Sequence, residues 1–185
     1  EEEIASFYGS TYAVATDCCT HGIELCLRQQ KIKKFSTPKR TYISVPFLAN
    51  KLNIEFEWRN EDWQDYYYLG GTNIIDAAVL WKANSYIPNT FMCVSFQYRK
   101  HLSLGRGGII LTDSKKDAII LKKMSYDGRL PNIPWREQDI DTIKGNFLRL
   151  RKIDKTKLIF NELEELLRYY PIDKIRLNDE ENEKR

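Results

Sequence analysis

Two apolar runs, Phe91-Met92-Cys93-Val94 and Ile109-Ile110-Leu111, are too short for helices and stand on either side of a polar, glycine-rich turn. Runs of that length fit buried strands. The turn holds Lys100 within Gln97-Tyr98-Arg99-Lys100-His101, and then crosses Gly105-Arg106-Gly107-Gly108. One lysine is thus placed between two strands. The glycines behind it let a backbone approach a ligand or another strand closely. This segment predicts a sheet, and the other apolar segments have to be arranged around it.

Upstream, Glu1–Phe7 reads as a helix end stopped by Gly9. Tyr12-Ala13-Val14-Ala15 reads as a short buried strand. It leads through Thr16-Asp17-Cys18-Cys19-Thr20 into a helix over His21 to Gln29, with Ile23, Leu25, Cys26 and Leu27 apolar. At such a strand-turn-helix junction the backbone N–H groups of the helix start can hold a phosphate, and Thr20 would add a hydroxyl. The plainer reading of Thr20 is an N-cap. His21 reads as structural. Lys31–Arg40, basic and with Pro38, predicts a loop, and Thr41–Val45 a strand ended by Pro46. A short helix and a strand are expected within Leu48–Phe56. Glu57–Tyr68, with Trp58, Trp63 and three successive tyrosines, has no clear period, and reads as packing or as a substrate or subunit contact.

Asn73-Ile74-Ile75-Asp76-Ala77-Ala78 ends an apolar strand in a carboxylate. A buried charge there is costly without a partner. Asp76 either caps the next turn or stands at the carboxyl edge of a parallel sheet, where α/β folds bind ligands. After the lysine segment, Ser114-Lys115-Lys116-Asp117 resembles a capping box opening a helix through Ile119, Ile120, Leu121 and Met124, ended by Asp127-Gly128. Leu130–Trp135 predicts a loop. Leu158, Ile159, Leu163, Leu166 and Leu167 recur at helical spacing before Pro171. Alternating strand and helix patterns predict an α/β fold of three layers, with a mostly parallel sheet flanked by helices. One domain over residues 1–177 is expected, with a frayed charged tail over 178–185.

The net charge of +3 over 185 residues is too small to argue for a nucleic-acid surface. No apolar run approaches the roughly 20 residues of a membrane span, and no signal peptide is visible. Cys18, Cys19, Cys26 and Cys93 lack paired CxxC spacing, so no metal site is expected. Their apolar settings suggest buried, reduced thiols in a cytoplasmic protein.

The Ser95-Phe96 strand end, Lys100 and the Gly105-x-Gly-Gly turn together resemble the cofactor-lysine segment of the DegT-type sugar aminotransferases. These are pyridoxal phosphate (PLP) enzymes of the aspartate-aminotransferase fold. The Thr20 turn, the Thr41–Pro46 segment and Asp76-x-Ala78 resemble further elements of that family, in its order. Three positions depart from its pattern: Cys19 stands where glycine is usual, Val79 where Gln or His is common, and Arg106 where an acid is usual. The likeness covers residues 2–129, and implies a shortened member with the small C-terminal domain largely absent. Gly145-Asn146-Phe147 is a faint echo of the family's subunit-crossing segment.

The resemblance implies roles. Lys100 would carry the covalent link to PLP and act as general base. Asp76 would pair with the pyridinium nitrogen. Cys19, Thr20 and Ser95 would cradle the phosphate, and Ala78 would lie on one face of the ring, with Phe47 or Tyr42 on the other. Arg99 and Arg106 would act on the lysine's pKa, and Arg106 would favour an anionic substrate. Glutamate is the expected amino donor and a nucleotide-linked keto sugar the acceptor, in a homodimer. Two other readings stay open: a non-catalytic relative that keeps the fold, and a phosphate-binding module built on the glycine turn.

Overall fold

Gly9 ends the first helix as the sequence predicts, in the left-handed conformation (φ 77°) that glycine adopts without strain. In the computed structural model, the described residues are 1–126 with Ile133, Pro134 and Glu137. The chain divides into two units, Glu1–Tyr126 and Asp127–Arg185, and the elements named here belong to the first. The loop expected at Leu130–Trp135, the later helix, the Gly145-Asn146-Phe147 segment and the tail lie wholly or largely outside the described residues. The proposed domain boundary at residue 177 lies there too.

Helix α1 (Glu2–Tyr8) is followed by strand β1 (Tyr12–Thr16), helix α2 (Cys19–Gln29) and strand β2 (Lys34–Pro38). Helix α3 (Ser44–Leu52) and strands β3 (Glu55–Arg59), β4 (Tyr67–Tyr68) and β5 (Ile74–Asp76) come next. Strands β6 (Phe91–Ser95) and β7 (Gly108–Thr112) enclose the lysine turn, and α4 (Lys115–Ser125) follows. Ser114 caps α4 by accepting the Asp117 N–H at 3.3 Å, the half of a capping box that the sequence predicts.

Five strands form one sheet in the order β1-β7-β6-β5-β4. Helices cover it, as expected of an α/β fold, but the pairing is mixed rather than mostly parallel. Only β5–β6 is parallel, and β1–β7, β7–β6 and β5–β4 are antiparallel. The reason is local: the lysine turn returns the chain directly, so β6 and β7 form a hairpin. Strands β2 and β3 pair in parallel beside it. Ser36 and Gly70 exchange two backbone hydrogen bonds, at 2.8 and 3.3 Å, and so tie β2 to the turn after β4.

Two local expectations are corrected. Lys31–Arg40 is not a loop, since it contains β2. Thr41–Val45 is not a strand. Its alternation is β-like, yet Ser44 opens α3 and Pro46 sits in that helix's first turn, where its missing N–H costs nothing.

The sheet's two faces bury different sets. One face packs Ile75, Met92, Val94, Ile109 and Leu111 against Tyr8, Leu80 and Phe96. On the other face α2 lies close enough that a Cβ on Gly22 would stand 3.2 Å from Ile110 and 3.7 Å from Cys93. Glu24, buried in α2, is held by Arg28 at 2.8 Å and by Lys51 of α3 at 2.7 Å, which ties the two helices. No helix among the described residues is long and apolar enough to cross a membrane.

Candidate active site

Asp76 ends β5 on the face covered by α2, and is 5% exposed. Its Oδ1 accepts the Ala78 N–H at 3.0 Å, and its Oδ2 accepts the Tyr67 hydroxyl at 2.7 Å. The Cys19 thiol reaches Oδ1 at 4.0 Å, the long distance expected of a sulfur donor. Both sequence readings of Asp76 therefore hold in part: it caps the Ala77-Ala78 turn, and it stands at the carboxyl end of β5, an inner strand paired in parallel with β6. Burial is the strongest influence on its carboxyl and raises its pKa, while Tyr67, Ala78 and the charge of Lys100 pull it down, leaving it above the usual carboxylate value.

Lys100 is half-buried in the β6–β7 turn. Its N–H donates to the Gln97 carbonyl at 2.8 Å, and the Phe96 N–H donates to the Gly107 carbonyl at 2.9 Å across the base of the turn. Its charge acts on Cys19 as well as on Asp76. Burial and then the charge of Asp76 push the Cys19 thiol well up, so it stays protonated.

The start of α2 lies against the glycine turn. A Cβ on Gly108 would meet the Cys19 nitrogen at 2.4 Å and the Cys18 carbonyl carbon at 2.5 Å, so only glycine fits. Ser95 stands opposite Gly108 in the β6–β7 pairing, which brings it to the same junction. Helix α2 begins two residues earlier than its apolar pattern predicts. Its N-cap is Cys18, whose Sγ accepts the His21 N–H at 3.4 Å, and not Thr20. The Thr20 hydroxyl instead bonds the Ser44 hydroxyl at 2.6 Å. All four cysteines are free; Cys18 is half-buried, whereas the other three are buried as expected.

The structure therefore gathers Asp76, Ala78, Cys19, Ser95 and Lys100 around the ends of β5 and β6 and the start of α2, with Thr20 in that helix's first turn. The two arginines expected near Lys100 have partners of their own. Arg106 binds Asp17 at 3.0 Å, and the Arg99 guanidinium lies over the Tyr98 ring at 5.2 Å. His21 also binds Asp17, in keeping with a structural role. Burial would raise the Asp17 carboxyl, but His21 and Arg106 outweigh it and hold it below its usual value. Tyr42 and Phe47, on either side of Ser44, are 70% and 59% exposed. The residue that sequence reasoning missed is Tyr67. The chain turns back from β4 to β5 through the four residues Gly70 to Asn73, and it is this register that sets Tyr67 opposite Asp76.

No family model and no curated protein matches the chain. Solved structures do. A sugar aminotransferase from Micromonospora echinospora superposes with a TM-score of 0.60 at 11% identity, over 81% of this chain and 58% of that one. A Bacillus cereus protein described as a PLP-dependent aminotransferase gives 0.59 at 16% identity, over 94% and 64%. DesI, solved in the presence of its TDP-sugar product, gives 0.58 at 16% identity, over 69% and 44%. The chain thus spans 44 to 64% of the length of these proteins. At such identities the likeness is one of fold: the chain has the α/β fold of the PLP-dependent aminotransferases.

Proposed function

We propose that the chain is a PLP-dependent aminotransferase, which as a homodimer moves an amino group from glutamate to a keto sugar carried on a nucleotide. The observation that carries this reading is the buried Asp76 carboxylate at the end of β5, under the charge of Lys100.

The residues fit the cofactor. A pyridinium nitrogen needs a carboxylate shielded from water, and Asp76, buried at the end of β5, is the group that would supply it. A carboxylate has about four lone-pair sites. Tyr67, Ala78 and Cys19 occupy three of them among the described residues, which leaves one on Oδ2 for a ring N–H. PLP, when bound, supplies an electron-withdrawing ring and a carbonyl carbon that can take up an amino group. The protein would do the rest. Asp76 would keep the ring nitrogen protonated. Lys100 Nζ would hold the cofactor covalently and, once released, take the proton from the amino donor's Cα. The N–H groups at the start of α2, with the Ser95 and Thr20 hydroxyls, would bind the phosphate. Ala78 would lie against one face of the ring.

The test is borohydride reduction of the PLP-loaded protein, followed by peptide mapping. The pyridoxyl group is expected on Lys100, and a label on another lysine sinks the assignment. In a separate, unreduced sample of the PLP-loaded protein, glutamate added without an acceptor should bleach the visible absorbance of the bound cofactor. Bound PLP that never reacts with any amino donor would mark a non-catalytic relative instead.

A further inference from the structure

Tyr67 stands opposite Asp76 in the antiparallel β4–β5 pairing, so the two side chains leave the sheet on one face. The Tyr67 hydroxyl donates to Asp76 Oδ2 at 2.7 Å. A phenol has a single proton, and this one is committed to Asp76. The Thr41 hydroxyl bonds the same phenol oxygen, so Thr41 must be the donor in that bond. The result is a directed chain: Thr41 O–H to Tyr67 O–H to the Asp76 carboxylate. Bonds aligned in this way polarise one another. Tyr67 is 4% exposed, so water competes little with them.

We propose that Tyr67, backed by Thr41, is the positioning residue that keeps Asp76 ionised and aimed for its partner on the cofactor. Without it the buried carboxyl would hold a proton to higher pH and would be a poorer partner for one on a ring nitrogen. This rests on the PLP reading of the site.

The groups facing Asp76 support the assignment. Among the described residues they are Cys19 on α2, Tyr67 on β4, Cys93 on β6 and Lys100 in the turn. Burial holds up the Cys19 thiol, and a bond with Cys26 followed by burial holds up the Cys93 thiol, so both stay neutral. Burial and the charge of Asp76 raise the Tyr67 phenol too, so it remains a donor. Of the influences that oppose burial at Asp76, the Tyr67 bond is the largest, ahead of the Ala78 N–H and the Lys100 charge.

The experiment compares the parent with Tyr67→Phe, Thr41→Val and, as control, Tyr68→Phe on the neighbouring exposed ring. In the PLP-loaded protein, Tyr67→Phe should slow the glutamate half-reaction about tenfold at neutral pH, as expected for a lost hydrogen bond to a charged group. The deficit should shrink as the pH rises and the carboxyl ionises again. Thr41→Val should show a smaller deficit with the same trend, and Tyr68→Phe none. A deficit equal at every pH would mean that Tyr67 only packs, and would overturn the proposal.

Melting without cofactor gives a second readout. The folded Asp76 pKa lies above its unfolded value, so its contribution to stability is complete below the unfolded pKa and is lost as the pH rises through the folded one. Tyr67→Phe raises the folded pKa further. The gap in Tm between parent and variant should therefore widen from pH 4 to pH 8, and stay constant in an Asp76→Asn background. A constant gap in the parent background would overturn the relay. A missing Lys100 label overturns the PLP reading alone, because the cofactor-free melts do not depend on it.

Discussion

At Asp76 two demands conflict. A carboxylate that serves a cofactor must be dry and ionised, and burial opposes ionisation. Donors from three elements, β4, α2 and the turn after β5, and the charge of Lys100 all act against burial there. Replacing Asp76 by Asn keeps the shape and removes the charge. PLP binding should survive in Asp76→Asn, while the glutamate half-reaction should slow about 100-fold, the size of effect seen when one preorganised charge or donor leaves a dry site. Stopped-flow absorbance after mixing with glutamate reads the rate directly, and a variant as fast as the parent would remove Asp76 from the chemistry. Asp76 was legible in the sequence because a carboxylate that ends an apolar run demands an explanation. Tyr67 was not: it sits among three tyrosines with no period, and its role comes from cross-strand register, which no single run of residues displays.

Among the elements, the contact between α2 and β7 sets the site's geometry. Gly108 leaves no room for a side chain, and the atoms in the way are backbone, which cannot swing aside. Gly108→Ala should therefore cost about 3 kcal/mol, near the top of the range for an overpacked site. It should also loosen PLP binding, because relief of the clash moves the Cys18-Cys19 peptide. Urea unfolding and cofactor titration check the two effects, and a variant as stable as the parent would show that the junction yields. The glycine turn was legible as a place of close approach, and the surrounding strands followed from their apolar runs. Thr41–Val45 misled because its alternation mimics a strand, whereas the segment's place beside α2 selects a helix; the contact of Ser44 with Thr20 is part of that tertiary setting. Lys34–Pro38 misled in the opposite sense, since β2 is chosen by its pairing with β3 and not by its own composition.

For the molecule as a whole, strand directions were beyond local reading, because pairing depends on partners far apart in sequence. The same holds for what closes the site. In the proposed site Asp76, Lys100, Cys19 and Ser95 would form one wall, and a PLP site must exclude water around its reacting carbon. Beside that wall, at the start of α3, Tyr42, Ile43 and Phe47 are 70%, 58% and 59% exposed. Three neighbouring large apolar side chains in water are costly unless something covers them. Part of the Trp58–Tyr68 stretch, expected at a subunit contact, is already used within the chain: Trp63 donates to the Arg40 carbonyl at 2.6 Å and packs on Tyr67. The α3 start is thus the better candidate for a shared surface. A second copy related by a two-fold axis would cover it and complete the wall, the commonest form of soluble assembly. Light scattering at micromolar concentration should give the mass of two 21.9 kDa chains. Phe47→Glu should shift that mass towards one chain and weaken PLP retention in parallel. A monomeric parent that holds PLP tightly would show instead that one chain closes its own site.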